Sequence, residues 1–98
     1  MSETVGALAD KVRSKNAGPF WITIDVFCGD AYERLAEALT AERVAALTGA
    51  DVQTIKRFAL PELGVVKLSL PRPAVQGSRE DRDMHGAALA ALVAEMGV

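Results

Sequence analysis

Three short runs of this chain hold the residue types that recognition chemistry uses. The first is Arg13-Ser14-Lys15-Asn16-Ala17-Gly18-Pro19-Phe20, where two cations and an amide precede a glycine–proline bend. Lysine supplies a compact charge, and asparagine both a donor and an acceptor. Lys15 and Asn16 are therefore candidates for holding a carboxylate or phosphate, with Gly18 letting it approach the backbone closely. A second account needs no ligand. Cations suit the C-terminal end of a helix, and Asn16 and Gly18 are ordinary helix-ending residues.

The second run is Leu70-Pro71-Arg72-Pro73. Flanking prolines hold the backbone extended, which lowers what Arg72 loses on ordering. A guanidinium held in this way suits bidentate recognition of a carboxylate or phosphate. Alternatively, the prolines end an exposed strand and Arg72 is solvated. The third run is Gly77-Ser78-Arg79-Glu80-Asp81-Arg82-Asp83-Met84-His85-Gly86. Asp81, Asp83 and His85 alternate, and carboxylates and imidazole are common ligands of divalent ions. They share one side only in an extended segment, and a lone histidine makes a thin ligand set, so no metal is expected. Asp83 as the N-cap of a final helix explains the same pattern.

Asp25 is the one oddly placed acid, lying among apolar neighbours. It faces solvent, pairs with Lys67 or Arg57 across a sheet, or serves a site. Cys28 ends an apolar run and reads as a small buried residue rather than a nucleophile. Trp21 and Tyr32 read as core or interface anchors.

The elements that must position these residues follow from periodicity. Val5, Leu8, Ala9 and Val12 form one helical stripe, with Ser2 as its cap and Lys11, Arg13 and Lys15 toward its end. Phe20, Ile22, Ile24 and Val26 alternate with Trp21, Thr23, Asp25 and Phe27, which predicts a central strand. Asp30 caps a helix carrying Tyr32, Leu35, Ala36 and Leu39. Thr40 caps another that ends at Gly49. Residues 52–60 and 65–70 read as strands joined by the turn Pro61-Glu62-Leu63-Gly64. Leu89, Leu92, Val93 and Met96 stripe a last helix. The expectation is an α+β fold with the order α-β-α-α-β-β-α. Its small sheet has about three strands and helices mainly on one face. The helical connection between the first two strands permits a parallel pair.

At 98 residues there is room for one domain, residues 1–98, and no interdomain cleft. The single cysteine cannot form an internal disulfide, so a homo-oligomer or a partner subunit is the remaining common way to bury more apolar area. The net charge of −2 gives no basic excess of the kind nucleic-acid binders show. No apolar run approaches the roughly 20 residues that span a bilayer, and no signal peptide is evident, so a cytoplasmic setting is expected.

Taken together, residues 13–20, Asp25, Pro71-Arg72-Pro73, Gly77-Ser78 and the Asp-x-Asp-x-x-Gly run at 81–86 resemble the domain-of-unknown-function family numbered 4387. Members of that family look like small partners of AtuA-like proteins of acyclic-terpene utilisation. The resemblance implies a small subunit acting with an AtuA-like large subunit on organic acids or acyl-coenzyme A compounds, and not active alone. Lys15, Asn16, Gly18, Arg72 and Ser78 would contact the ligand, with Asp81 and Asp83 as acid/base candidates. The chain departs from the family where a polar Gln-Gln-His-like stretch follows the last glycine; here it reads Ala87-Ala88-Leu89-Ala90-Ala91-Leu92. A stand-alone, homo-oligomeric binder of a small carboxylate or phosphate is the other reading, and an independent lyase or isomerase a third.

Overall fold

The computed structural model describes residues 3–72 and 88–98. The strand expected in the middle of the sheet is β2, Trp21–Phe27, in which Ile22, Ile24 and Val26 are buried and the alternate residues half-buried. It is hydrogen-bonded along both edges. On one side lies β1, Lys11–Asn16, and on the other β4, Val65–Pro71, which in turn pairs with β3, Lys56–Leu60. The sheet order is β1-β2-β4-β3, and every neighbouring pair is antiparallel.

Four helices complete an α+β fold: α1, Val5–Leu8; α2, Tyr32–Ala38; α3, Ala41–Thr48; and α4, Ala88–Ala94. The sheet is therefore one strand larger than expected, and the order becomes α-β-β-α-α-β-β-α. The difference lies in residues 11–16, which were expected to continue the first helix. Val12, Ser14 and Asn16 alternate with Lys11, Arg13 and Lys15, so this stretch satisfies a strand period as well as a helical one. Position next to β2 decides between them. As a strand, residues 11–16 pair in register from Lys11↔Phe27 to Asn16↔Ile22 and satisfy a backbone edge that would otherwise stay open. Helix α1 stops at Leu8, and its cap is Thr4, whose Oγ1 accepts from Ala7 N at 3.1 Å.

The two strands that might have formed a parallel pair are not neighbours, because β4 lies between them. Strand β3 also starts later than expected, after a 3-10 turn at Val52–Thr54. Its hairpin with β4 turns at Pro61–Leu63 as expected. Thr40 caps α3, its Oγ1 accepting from Arg43 N at 3.1 Å, and Gly49 ends that helix with φ 78°. Asp30 does not cap α2; it lies in a 3-10 turn, Gly29–Ala31, and Ala31 precedes the helix without a side-chain bond. The start expected for α4 at Asp83 lies outside the described residues. None of the described helices is long and apolar enough to cross a membrane.

The core forms on one face of the sheet. There Ile22, Ile24, Val26, Val66, Leu68 and Leu70 meet Leu35 and Leu39 of α2, Val44 of α3 and Val93 of α4. Gly6 lets α1 reach α4, since a Cβ at that position would sit 3.0 Å from the Ala94 Cβ and carbonyl oxygen. Arg57 reaches from β3 to the end of α2, donating Nε to Leu39 O at 2.7 Å and Nη2 to Ala36 O at 2.6 Å. These are carbonyls that a helix C-terminus leaves without partners. Arg57 is thus unavailable to Asp25, which has Lys67 instead, 3.7 Å away.

Cys28 is fully buried at the end of β2, its thiol donating to Val26 O at 3.4 Å. Burial pushes its pKa up; the backbone bond from Val66 opposes this, and the negative charge of Asp10 adds to it. Arg57→Ala is expected to lower unfolding stability in urea by about 1–2 kcal/mol, and Arg57→Lys to restore only part, since an ammonium cannot span both carbonyls. Cys28 is expected to resist iodoacetamide in the native chain and react on unfolding. Because its folded pKa is raised, its contribution to stability is intact below the ordinary thiol pKa. It falls as pH rises above that value, and a Cys28→Ala chain lacks that alkaline loss.

Candidate functional site

Lys15 and Asn16 end β1, and residues 17–20 are the hairpin turn to β2, not a helix end. Ala17 N donates to Trp21 O at 2.9 Å, closing the turn. Gly18 has φ +83° with open space where a Cβ would stand, so backbone conformation alone accounts for glycine there. Arg72 N donates to Phe20 O at 2.8 Å, extending the pairing of β2 just past β4. From this position the Arg72 guanidinium donates Nη1 to Asn16 Oδ1. Two of the residues singled out in sequence, far apart in the chain, are therefore joined at one end of the sheet.

Lys15 is not with them. Strand alternation puts Asn16, opposite Ile22, on the helix-covered side, and Lys15, opposite Thr23, on the other face. Lys15 is exposed there, whereas Asn16 is half-buried. Ser78, Asp81 and Asp83, together with His85, lie outside the described residues. Among the described residues no three His, Cys, Asp or Glu side chains converge as metal ligands would.

Beside the Asn16–Arg72 link is a cleft of about 190 Å³. It is lined by the end of α3 (Thr48, Gly49, Ala50), the end of β4 (Leu70, Pro71, Arg72) and Leu89 of α4. Ser14, which sequence reasoning passed over, fixes the third wall: its Oγ accepts from Ala90 N at 2.9 Å and ties α4 to β1. The Thr48 hydroxyl donates to Val44 O at 2.8 Å and accepts from Ala50 N at 3.4 Å, so it is committed to its own helix end. Among the described residues, Arg72 is the one charged side chain in the lining. A guanidinium presents several N–H donors in a fixed fork and can hold an amide and an anion together. The cleft is smaller than the roughly 300–1,000 Å³ typical of complete ligand sites. It admits a small acid or the end of a larger one. A second cleft, bounded by Arg34, Glu37, Ala38, Arg43 and Val98, has its cations in structural contacts. Arg34 pairs with Glu3 at 2.8 Å, and Arg43 donates to Ala38 O at 3.2 Å and to Gly97 O.

The face of the sheet away from the core has a different chemistry. Its cross-strand rows are given by the register: Lys11–Phe27–Val65–Leu60, then Arg13–Asp25–Lys67–Phe58, then Lys15–Thr23–Ser69–Lys56. Trp21 and Pro71 follow. Asp25 stands between Arg13 and Lys67, its side chain 14% exposed. Asp25 Oδ1 and Thr23 Oγ1 are buried with no hydrogen-bond partner. Lys56 Nζ lies 5.5 Å from the centre of the Trp21 ring. The alternation of Lys11, Arg13 and Lys15 was the sequence signal for this face, and assigning those residues to a helix concealed it.

No curated protein and no solved structure matches the chain. A model of one protein family, described as a domain of unknown function (DUF4387), matches residues 5–96, a span that takes in all four strands and the Asn16–Arg72 link. The chain belongs to the domain-of-unknown-function family DUF4387.

Proposed function

We propose that this chain is a small accessory subunit of an AtuA-like protein in organic-acid or acyl-coenzyme A metabolism, to which it contributes an anion-recognising corner of a shared site. The observation that carries this reading is the Asn16–Arg72 pair at the rim of a cleft of about 190 Å³. A fork-shaped cation, already oriented by an amide, is set against an apolar wall. That arrangement suits the carboxylate of a small acid or one end of an acyl compound. Among the described residues the cleft has one charged group in its lining, and its volume is too small for a coenzyme ester. A partner that supplies the remaining walls accounts for both features.

Within this reading Arg72 binds the anion and Asn16 orients Arg72. Ser78, Asp81 and Asp83 are assigned to the same site on their sequence alone, Ser78 as a ligand contact and the two carboxylates as acid/base groups. Lys15 is assigned to the opposite face, and Gly18 to the turn. In a low-dielectric cleft a charge-assisted hydrogen bond contributes about 1.5–3 kcal/mol, enough for Arg72 alone to decide whether an acid binds.

Co-expression with an AtuA-like protein and size-exclusion chromatography test the assembly, and a thermal-shift screen of small carboxylates and coenzyme A esters tests the site. Co-elution is expected, with at least one acid stabilising the complex. Arg72→Ala is expected to weaken that acid by about 10- to 100-fold, with Asn16→Ala intermediate. Separate elution under every ligand condition sinks the accessory-subunit reading. A stabilising acid bound by the chain alone and lost in Arg72→Ala, without turnover, supports the stand-alone binder instead.

A further inference from the structure

The charges of this chain are sorted by the sheet. All four lysines, Lys11, Lys15, Lys56 and Lys67, stand on the face away from the core, and Arg13 lies between the first two. Asp25 is the only acid in the four strands, and it is enclosed by Arg13 and Lys67. On the helix side the exposed acids Glu33, Glu37 and Glu42, with Glu95 just past α4, outnumber the exposed helix cations Arg34 and Arg43. A chain of net charge −2 thus presents one strongly basic face. Lysines on edge strands also discourage unwanted strand pairing, which accounts for those on β1 and β3. Lys67, on the inner strand β4, pairs with Asp25 at 3.7 Å.

The same face is apolar at one end. Phe27 and Leu60, both half-buried, flank the buried Val65 in one row, and Phe58, 48% exposed, adjoins it. Among the described residues no helix covers this surface. We propose that it is a docking surface for the acidic face of a partner protein, with apolar contact over the Phe27–Phe58 end and carboxylates of the partner meeting Lys11, Arg13, Lys15 and Lys56. This rests on the accessory-subunit reading and adds to it which face docks and the charge of the surface it meets. A second copy packed face to face would set these lysines against one another, and like charges opposed across an interface cost several kcal/mol. A nucleic-acid strand fits less well. Asp25 sits at the centre, the Trp21 ring is already faced by Lys56, and Trp21 and Phe27 are roughly 20 Å apart along β2, too far for adjacent bases.

Because every lysine lies on the one face, acetylation of amines by N-hydroxysuccinimide acetate reads it directly. In the complex of the full chain with the AtuA-like protein at low ionic strength, all four lysines are expected to lose about tenfold in reactivity. Binding is expected to weaken with added salt and to fall about tenfold in Lys15→Glu and Lys56→Glu, while Glu37→Lys on α2 leaves it unchanged. A complex in which the lysines stay as reactive as in the free chain overturns the face assignment and leaves the accessory-subunit reading standing. If no complex forms, that reading fails and poly-L-glutamate decides the face: protection of the lysines supports an acidic partner, and no protection overturns it. Protection that grows with the chain's own concentration overturns the proposal in favour of a second copy. Protection by oligothymidylate as strong as by poly-L-glutamate overturns it in favour of nucleic acid.

Discussion

Strand β2 is hydrogen-bonded on both edges while, among the described residues, helices cover only one of its faces, and the rest of the molecule follows from that constraint. Side chains alternate along a strand, so a slip of one residue against β1 or β4 would send Ile22, Ile24 and Val26 to the open face and bring Thr23 and Asp25 into the core. Burying Asp25 among Leu35, Leu39 and Val44 without a compensating partner would cost several kcal/mol. The register is therefore determined by the cost of the wrong face as much as by the gain from the right one. It also sets everything that hangs from β2: the turn at Gly18, the pairing of Phe20 with Arg72, and the placement of Asn16 beside the guanidinium.

The two surfaces with chemical potential are products of this one register. The cleft lies on the covered side, at the end of the sheet where α3 stops and α4 begins. Its walls are apolar because they continue the core, and its charge comes from Arg72, the first residue beyond β4. The opposite face collects the lysines because their alternation is in phase with Thr23 and Asp25 rather than with Ile22 and Ile24. One surface is small, concave and singly charged; the other is broad and basic with an apolar end. They differ in shape and charge because they lie on opposite sides of the same strands.

Much of the architecture was legible in the chain. The strands at 21–27 and 65–71, the hairpin through Pro61, the helix capped by Thr40 and ended by Gly49, and the burial of Cys28 follow from alternation, capping and turn chemistry, which are local. Asn16 and Arg72 were also singled out by their residue types, though not their contact with each other. Residues 11–16 were ambiguous because Val5, Leu8, Ala9 and Val12 keep a helical period while Lys11, Arg13 and Lys15 keep a strand period. Local periodicity carries no information about whether a neighbouring strand has an unsatisfied edge.

The sequence by itself determined which residues are apolar, where the chain turns and which side chains can recognise an anion, because these are properties of neighbouring residues and their covalent geometry. Tertiary structure alone decided that Asn16 meets Arg72, that Lys15 leaves them for the other face, and that Arg57 closes α2 rather than pairing with Asp25. It decided, too, that every lysine stands on one surface. Each of these depends on how the strands pair and where the helices pack, which no local pattern encodes.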